Sequence, residues 1–223
     1  MKAFSKKFFI LTAHPEDMEV GCGGLVAKIL AHGGSVTNLI MVQPAAEEHP
    51  KRNQEVVKKE LANSNAILKH KTIIYDIPLH NNDRPNLTLT NNVITDVEKI
   101  AKGHDILISH WQEDHHQDHR ACHKIARSIA RKNFEQFWCM DETPYNLHYK
   151  NFKCNLYIDI SDYIDTKRKS IEAYNSYFYD SAVNQIINYN KYRGEFLGSN
   201  KIAETFQIMY TNRHNPCIKI HLN

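Results

Sequence analysis

The sequence predicts an α/β protein in which a mostly parallel sheet is covered by helices on both faces, giving three layers. Short apolar runs bounded by turn residues, which are typical of buried strands, alternate with longer segments of helical periodicity. This alternation is typical of parallel sheets built from strand–helix–strand units. The 223 residues, 42% of them hydrophobic, can form a sizeable core. Because no linker interrupts them, residues 1–223 are expected to form a single domain.

The first strand is expected at 8–11, because this brief apolar run ends in turn chemistry. Pro15 restricts His14 to an extended conformation, so the strand should end near His14. A helical pattern of apolar residues follows at 20–30 and ends at a pair of glycines.

The remaining elements are predicted by the same criteria. Further apolar runs predict strands at 35–42, 72–77, 105–109, 136–140 and 155–160. Apolar periodicity and capping residues predict helices at 52–68, 90–100, 119–132 and 162–179. No element is predicted after residue 179, where the chain is rich in Asn and Tyr.

Composition argues against several classes of partner. The net charge is only +3, and the charged residues form no long block of one sign, so nucleic acid is not expected as a partner. No apolar run approaches the roughly 20 residues needed to cross a bilayer, so no membrane anchor is expected. The five cysteines are odd in number and show no C-x-x-C spacing. This pattern favours reduced thiols in the cytoplasm over a disulfide framework or a zinc knuckle.

A first candidate site follows the first strand. His14, Glu16 and Asp17 come directly after it, and side chains past the carboxyl end of a strand line the ligand crevice of an open α/β sheet. Imidazole and carboxylate groups are ligands that zinc and similar divalent ions take. Taken alone, this segment is equally well interpreted as an ordinary turn at the end of a strand.

A second candidate site follows the fourth predicted strand, in residues 110–123. Its potential ligands are imidazoles and carboxylates, among them Asp114, His115, His116, Asp118, His119 and His123. Both segments follow parallel strands, so they should open at the same edge of the sheet. A catalytic zinc site uses three protein ligands and leaves a position for water, whose pKa falls to about 7. The alternative is a solvent-exposed helix start, in which Asp118 favours the helix N-terminus.

The glycine-rich segment 21–24 also has two interpretations. A dinucleotide-binding loop is disfavoured, because the spacing is not G-x-G-x-x-G and no acidic residue completes a ribose site. Close packing of a helix against the sheet is the better interpretation. Cys22 and Cys122 lie near the candidate site but are expected to be buried small apolar residues, not nucleophiles.

Together, the two segments resemble the PIG-L/LmbE-like family of zinc-dependent N-deacetylases. That family carries A-H-P-D-D-E near its N-terminus and a later H-x-D-H, which appear here as A-H-P-E-D-M at 13–18 and H-Q-D-H at 116–119. Further matches extend along most of the chain. Arg52 and Glu55 match R-x-x-E, and residues 159–161 with Lys167 or Lys169 match D-I-S…K. Residues 193–194, Gly198 and 203–206 match R-G…G…A-E-x-F.

The resemblance implies a Rossmann-like fold with the metal site at the C-terminal edge of the strands. It implies that His14, Asp17 and His119 hold Zn²⁺ or another divalent ion. Glu16 then stands at the position of the general base, which takes a proton from the attacking water. Amide hydrolysis needs these elements, since the carbonyl must be polarised, the water activated and the leaving amine protonated.

The resemblance implies roles for three further residues. His116 orients or protonates the intermediate and the leaving amine, and Asp118 fixes the tautomer of His116 and raises its basicity. Arg52 binds the substrate. The chain departs from the family at Glu16, where Asp is usual, and at Met18, where Glu is usual. We expect activity to survive the extra methylene of Glu16, with the geometry adjusted around it.

The expected function is metal-dependent removal of an N-acetyl group from an N-acetylated amino sugar or sugar conjugate. The sugar class comes from the resemblance alone. One alternative is a zinc amidase for another small amide or a thiol conjugate. The other is a non-catalytic glycan- or nucleotide-binding protein on the same fold. The expected partner is a small-molecule substrate in the cytoplasm, and assembly into a homo-oligomer is left open.

Overall fold

The structure is a computed structural model that describes residues 2–42, 53–75, 87, 89–145 and 150–211. The helices in these ranges are α1 (Asp17–Ala31), α2 (Gln54–Leu68), α3 (Asn91–Ile100), α4 (Gln117–Asn133), α5 (Ile164–Glu172) and α6 (Asp180–Gly194). The strands are β1 (Lys7–Thr12), β2 (Ser35–Ile40), β3 (Lys71–Ile74), β4 (Ile106–Ser109), β5 (Gln136–Met140), β6 (Leu156–Asp159) and β7 (Ala203–Thr211).

The seven strands form one sheet in the order β3-β2-β1-β4-β5-β7-β6. The first five strands along the chain pair in parallel, and β7 is antiparallel to both of its neighbours, β5 and β6. The strand order therefore reverses between β1 and β4, and ligands bind at such a switch point in open α/β sheets. This arrangement confirms the predicted α/β class and gives a Rossmann-like fold.

Helices cover both faces of the sheet because alternate residues of the buried strands point to opposite sides. In β1, Phe9 and Leu11 pack in a core with residues of α3 and α4. Phe8 and Ile10 pack in a second core with α1. A third core lies where α5 and α6 meet α1 and α2. No helix within the described ranges is long and apolar enough to cross a membrane.

Helix α1 packs unusually close to its neighbours through two of its glycines. A Cβ atom on Gly24 would lie 2.6 Å from Cδ1 of Ile160, and one on Gly21 would lie 2.6 Å from the sulfur of Met140. The packing interpretation of segment 21–24 is thus confirmed. Cys22 on this helix is buried, as predicted.

Helix α1 is also broken at Cys22, whose φ and ψ of −152° and 23° are not helical. A buried ion pair bridges the break. Lys167 donates to the carbonyl oxygen of Val20 and to Oε1 of Glu204, both at 2.7 Å. Glu204 in turn accepts hydrogen bonds from the backbone N–H groups of residues 24 and 25. The pair therefore satisfies backbone groups around the break and joins α1 to α5 and β7.

The prediction for the C-terminal third was partly wrong. The helix expected at 162–179 ends at Glu172, and α6 and β7 were not predicted. Tyr174 and Phe178 continue the helical spacing of apolar residues, but they lie in the connection between α5 and α6, where both are buried in the third core. Tertiary burial, not helix periodicity, accounts for these aromatic residues.

Candidate metal centre

Potential metal ligands meet at the carboxyl ends of three adjacent strands. His14, Glu16 and Asp17 follow β1, and the segment 110–119 follows β4. Glu142 follows β5. Among the described residues, three sets have ligand atoms within 4.8 Å of one another: His14, His116 and His119; His14, Glu16 and Asp17; and Asp17, His110, His119 and Glu142.

The side chains of His14, Asp17 and His119 converge, and their nearest ligand atoms lie at distances that suit one cation. Nδ1 of His14 is 3.3 Å from Nε2 of His119, which is 3.3 Å from Oδ1 of Asp17. The other oxygen of Asp17, Oδ2, lies 3.5 Å from Nδ1 of His14, so the carboxylate faces the two rings through different oxygens. Tetrahedral zinc with bonds of 2.0–2.2 Å places neighbouring ligand atoms about 3.3–3.6 Å apart. Because Oδ1 of Asp17 is buried with no hydrogen-bond partner among the described residues, the set fits a divalent ion.

Each of the two imidazoles has a carboxylate on its other nitrogen. Nε2 of His14 lies 3.3 Å from Oδ2 of Asp118, and Nδ1 of His119 lies 3.1 Å from Oδ2 of Asp114. Such pairs fix the tautomer and ring orientation of metal-binding histidines and make the ligating nitrogen more basic. When such a ring is neutral and its proton faces the carboxylate, the nitrogen that faces the cation position is free to bind a metal.

The expected contact between the side chains of His116 and Asp118 is not formed. Nδ1 of His116 is 3.9 Å from Oδ2 of Asp118, beyond hydrogen-bond range. Instead, His116 Nδ1 accepts the backbone N–H of Asp118 at 3.2 Å, because the ring caps the first turn of α4. The tautomer is therefore set by the backbone and carries its proton on Nε2. Burial and the neighbouring His14 and His119 lower the pKa of His116 to about 4.

Glu16 stands at the N-terminus of α1 and is almost fully buried. Its Oε1 accepts a hydrogen bond from the Tyr145 hydroxyl at 3.1 Å, whereas Oε2 has no hydrogen-bond partner among the described residues. Burial, and then the adjacent carboxylate of Asp17, raise the pKa of Glu16 to about 7. A carboxyl group with this pKa suits proton transfer near neutrality.

The carboxylate and imidazoles of the proposed ligands shift one another's pKa values. Burial raises the pKa of Asp17, but the imidazoles of His119, His14 and His110 lower it by more, leaving it well below its usual range. Burial lowers the pKa of His14, but Asp17 and Asp118 raise it by more, so it lies well above its usual value. In the metal-free protein, the imidazole of His14 therefore holds a proton beside the ionised carboxylate of Asp17.

The residues His110 and Glu142 behind the ligands were not assigned roles from the sequence. Both are fully buried, and Nδ1 of His110 is 2.6 Å from Oε2 of Glu142. Nε2 of His110 accepts the backbone N–H of Ala13 at 2.9 Å, and its ring stacks on His119 with centroids 3.8 Å apart. Glu142 could have been found by extending the strand-end rule to the fifth strand, since it directly follows β5.

Three other positions from the sequence analysis have different outcomes. Arg52 lies outside the described residues, so its assignment to substrate stays a prediction. Of the two candidate lysines, Lys167 is buried against Glu204 and Lys169 is exposed. Met18, which stands where the family usually has Glu, is buried, and the next residue, Glu19, contacts Ser64 and Tyr174 behind the ligand loop.

The Rossmann-like sheet and the ligand cluster at its switch point define an α/β protein with a candidate hydrolase-type metal centre. The chain belongs to the PIG-L family: the family model, described as GlcNAc-PI de-N-acetylase, matches residues 9–130. The matched region spans His14, Asp17 and His119, and it contains β4 and most of β1, the strands that place them.

Solved structures with the same fold include both deacetylases and another class of enzyme. A conserved protein of Thermus thermophilus is 22% identical, with 95% of this chain and 98% of that chain covered and a TM-score of 0.76. The N,N′-diacetylchitobiose deacetylase of Pyrococcus horikoshii is 22% identical, with 92% and 84% covered and a TM-score of 0.71. The 4-carboxy-2-hydroxymuconate hydratase GalB of Pseudomonas putida is 14% identical, with 93% and 97% covered and a TM-score of 0.77. At these identities the similarity establishes the fold, and the chemistry depends on the site.

Proposed function

We propose that this protein is a metal-dependent deacetylase that removes the acetyl group from an N-acetylated amino sugar or sugar conjugate. The observation that carries this proposal is the convergence of the side chains of His14, Asp17 and His119. The two ring nitrogens are 3.3 Å apart, and each lies 3.3 or 3.5 Å from one of the two oxygens of Asp17. Membership of the PIG-L family supports the deacetylase class. The sugar substrate is supported by the names of the family and of the Pyrococcus enzyme.

The proposed metal ligands are His14, Asp17 and His119, and zinc is the proposed ion. When bound, such an ion polarises a carbonyl group and lowers the pKa of water to about 7. Asp118 acts on the metal site by holding His14, instead of acting on His116 as the family resemblance implied. Asp114 holds His119 in the same way.

The protein's own groups account for the proton movements. Glu16 takes a proton from the water that attacks the amide carbon, because its carboxylate groups with His14 and Asp17 and its Oε2 has no hydrogen-bond partner among the described residues. His116 donates a hydrogen bond from Nε2 to the oxygen of the tetrahedral intermediate, since its Nδ1 is occupied by a backbone N–H. Glu16 then passes this proton to the amine nitrogen as the C–N bond breaks, and the water oxygen leaves in acetate. Arg52 remains the proposed substrate-binding residue.

The proposal is tested by measuring acetate released from N,N′-diacetylchitobiose and from N-acetylglucosamine by the zinc-loaded protein. Glu16→Gln should keep its bound zinc and lose roughly a hundredfold or more in kcat, because an amide cannot accept the proton. Removing the metal with a chelator should abolish turnover, and adding zinc back should restore it. Full activity after complete chelation, or a Glu16→Gln variant as fast as the parent, would contradict the proposal.

The products also distinguish the alternatives. Release of an acid other than acetate from a panel of N-acyl compounds indicates the zinc amidase. Tight binding of a sugar without turnover, unaffected by Glu16→Ala, indicates a non-catalytic binding protein. Hydration of a carbon–carbon double bond with no amide cleavage indicates chemistry of the GalB type on the shared fold.

A further inference from the structure

The two carboxylate oxygens of Glu16 have different surroundings. Oε1 accepts the hydroxyl of Tyr145 at 3.1 Å, and Oε2 has no hydrogen-bond partner among the described residues. Tyr145 follows the carboxyl end of β5, and its ring packs on Phe178 with centroids 4.9 Å apart. Phe178 is itself buried in the third core. One oxygen of Glu16 is therefore fixed to the fold, and the other is available.

The hydrogen bond from Tyr145 bears on a difference from the family motif: this chain has Glu16 where the motif usually has Asp. A glutamate has one more rotatable bond than an aspartate, so its carboxylate has more orientations to lose before it can transfer a proton. Proton transfer needs the accepting oxygen within hydrogen-bond reach of the water. A hydrogen bond to the other oxygen of the carboxylate removes that freedom.

We propose that Tyr145 is a positioning residue that holds Oε1 of Glu16 so that Oε2 faces the attacking water. The inference rests on the proposed function, in which Glu16 is the base. Burial, together with the negative charge of Glu16, raises the pKa of the Tyr145 hydroxyl above its usual value, so the hydroxyl remains a donor. Tyr145 thereby allows a glutamate to serve at this position.

The proposal makes a specific prediction about two combined substitutions. Tyr145→Phe should lower kcat on N,N′-diacetylchitobiose about tenfold and change KM by less than about twofold, because it affects proton transfer and not substrate binding. In the Glu16→Asp background, the same substitution should change kcat by less than about twofold, because the shorter carboxylate no longer reaches the hydroxyl. Tyr75→Phe is the matched control. The Tyr75 hydroxyl also donates to a carboxylate, Oδ2 of Asp96, at 3.3 Å, but Tyr75 follows the edge strand β3, away from the candidate site.

A second readout needs no turnover. The protein is labelled with carbon-13 in the glutamate side-chain carboxyls and loaded with zinc, and the Glu16 signal is assigned by its absence in Glu16→Gln. The signal should shift in Tyr145→Phe and stay in place in Tyr75→Phe, with bound zinc and Tm unchanged in both. An unmoved signal, or an equal loss of kcat in the parent and Glu16→Asp backgrounds, overturns the inference. Activity retained in Glu16→Gln instead overturns the proposed function, which separates the two failures.

Discussion

Nδ1 of His14 lies 3.3 Å from Nε2 of His119, although the two residues are 105 positions apart in the sequence. Each ring is held from behind by its own carboxylate, Asp118 for His14 and Asp114 for His119. Two imidazole nitrogens aimed at each other in this way repel unless a proton or a cation lies between them. The site is therefore built for a positive charge at this point.

Replacing His119 should remove the metal. We expect His119→Ala to reduce bound zinc from about one per chain to less than about a tenth, because one of three protein ligands is lost. The matched control is His115→Ala, since His115 is an exposed histidine of the same segment and is outside the ligand sets. Metal content is measured by mass spectrometry after dialysis. Equal zinc in the two variants would show that His119 is not a ligand.

Metal affinity should rise with pH through the neutral range. Nearby carboxylates outweigh burial and raise the pKa values of both His14 and His119 above the ordinary value, so zinc must displace protons that the metal-free cluster holds. For one displaced proton the apparent affinity rises about tenfold per pH unit until the raised pKa is passed. Calorimetry in two buffers of different ionisation enthalpy measures the protons released. Zinc affinity that is flat between about pH 6 and pH 8 would contradict this expectation.

The strand-end rule predicted that the segments after β1 and β4 lie at one edge of the sheet, and the structure brings them together there. The rule depends only on strand order and direction, whereas the choice of His14, Asp17 and His119 among the candidates came from the family resemblance. The partner of His116 could not be predicted. Spacing alone does not show whether a carboxylate or a backbone N–H meets Nδ1, and α4 begins where the backbone N–H of Asp118 takes that place.

The fold was predictable up to β6 for a similar reason. There, the strands are short apolar runs, of which β1, β2, β4 and β5 are almost fully buried, and the segments between them have helical periodicity. Helix α6 carries several Asn and Tyr residues, which have modest helix propensity, and it is stabilised by burying Val183 and Ile187 in the third core. Strand β7 depends on antiparallel pairing with β5 and β6, which no local pattern reveals. Tyr145 is likewise recognisable only after β5 and Phe178 are in place.

The buried pair of Lys167 and Glu204 should be needed for stability. Lys167→Met leaves Glu204 as an unpaired buried carboxylate and removes the donor to the carbonyl of Val20. Breaking one side of such a pair costs about 3–5 kcal/mol in the free energy of unfolding. Lys169→Met on the same helix is the control, because Lys169 is exposed. Urea unfolding of the zinc-loaded proteins makes the comparison, and equal midpoints for the two variants would refute a stabilising role for the pair.

The carboxyl group of Glu19 should make the protein less stable as pH rises. It is fully buried beside Ser64 and Tyr174, and burial raises its pKa from 4.5 to about 8. Between these two values the folded chain keeps a proton that the unfolded chain releases, so the stability of the folded state falls as pH rises. The slope for one group is at most about 1.4 kcal/mol per pH unit.

Glu19→Gln removes this titration while keeping the shape of the side chain. We expect the variant to gain stability relative to the parent by about 1 kcal/mol for each pH unit between roughly pH 5 and pH 8. Glu195→Gln is the control, since Glu195 is exposed at the end of α6 and should leave the slope unchanged. Because both proteins share every other titrating group, the difference between their unfolding free energies isolates Glu19. If the difference in unfolding free energy between Glu19→Gln and the parent does not grow with pH, Glu19 is ionised in the folded state. Its buried Oε2, which has no hydrogen-bond partner among the described residues, would then contact a cation or an ordered water.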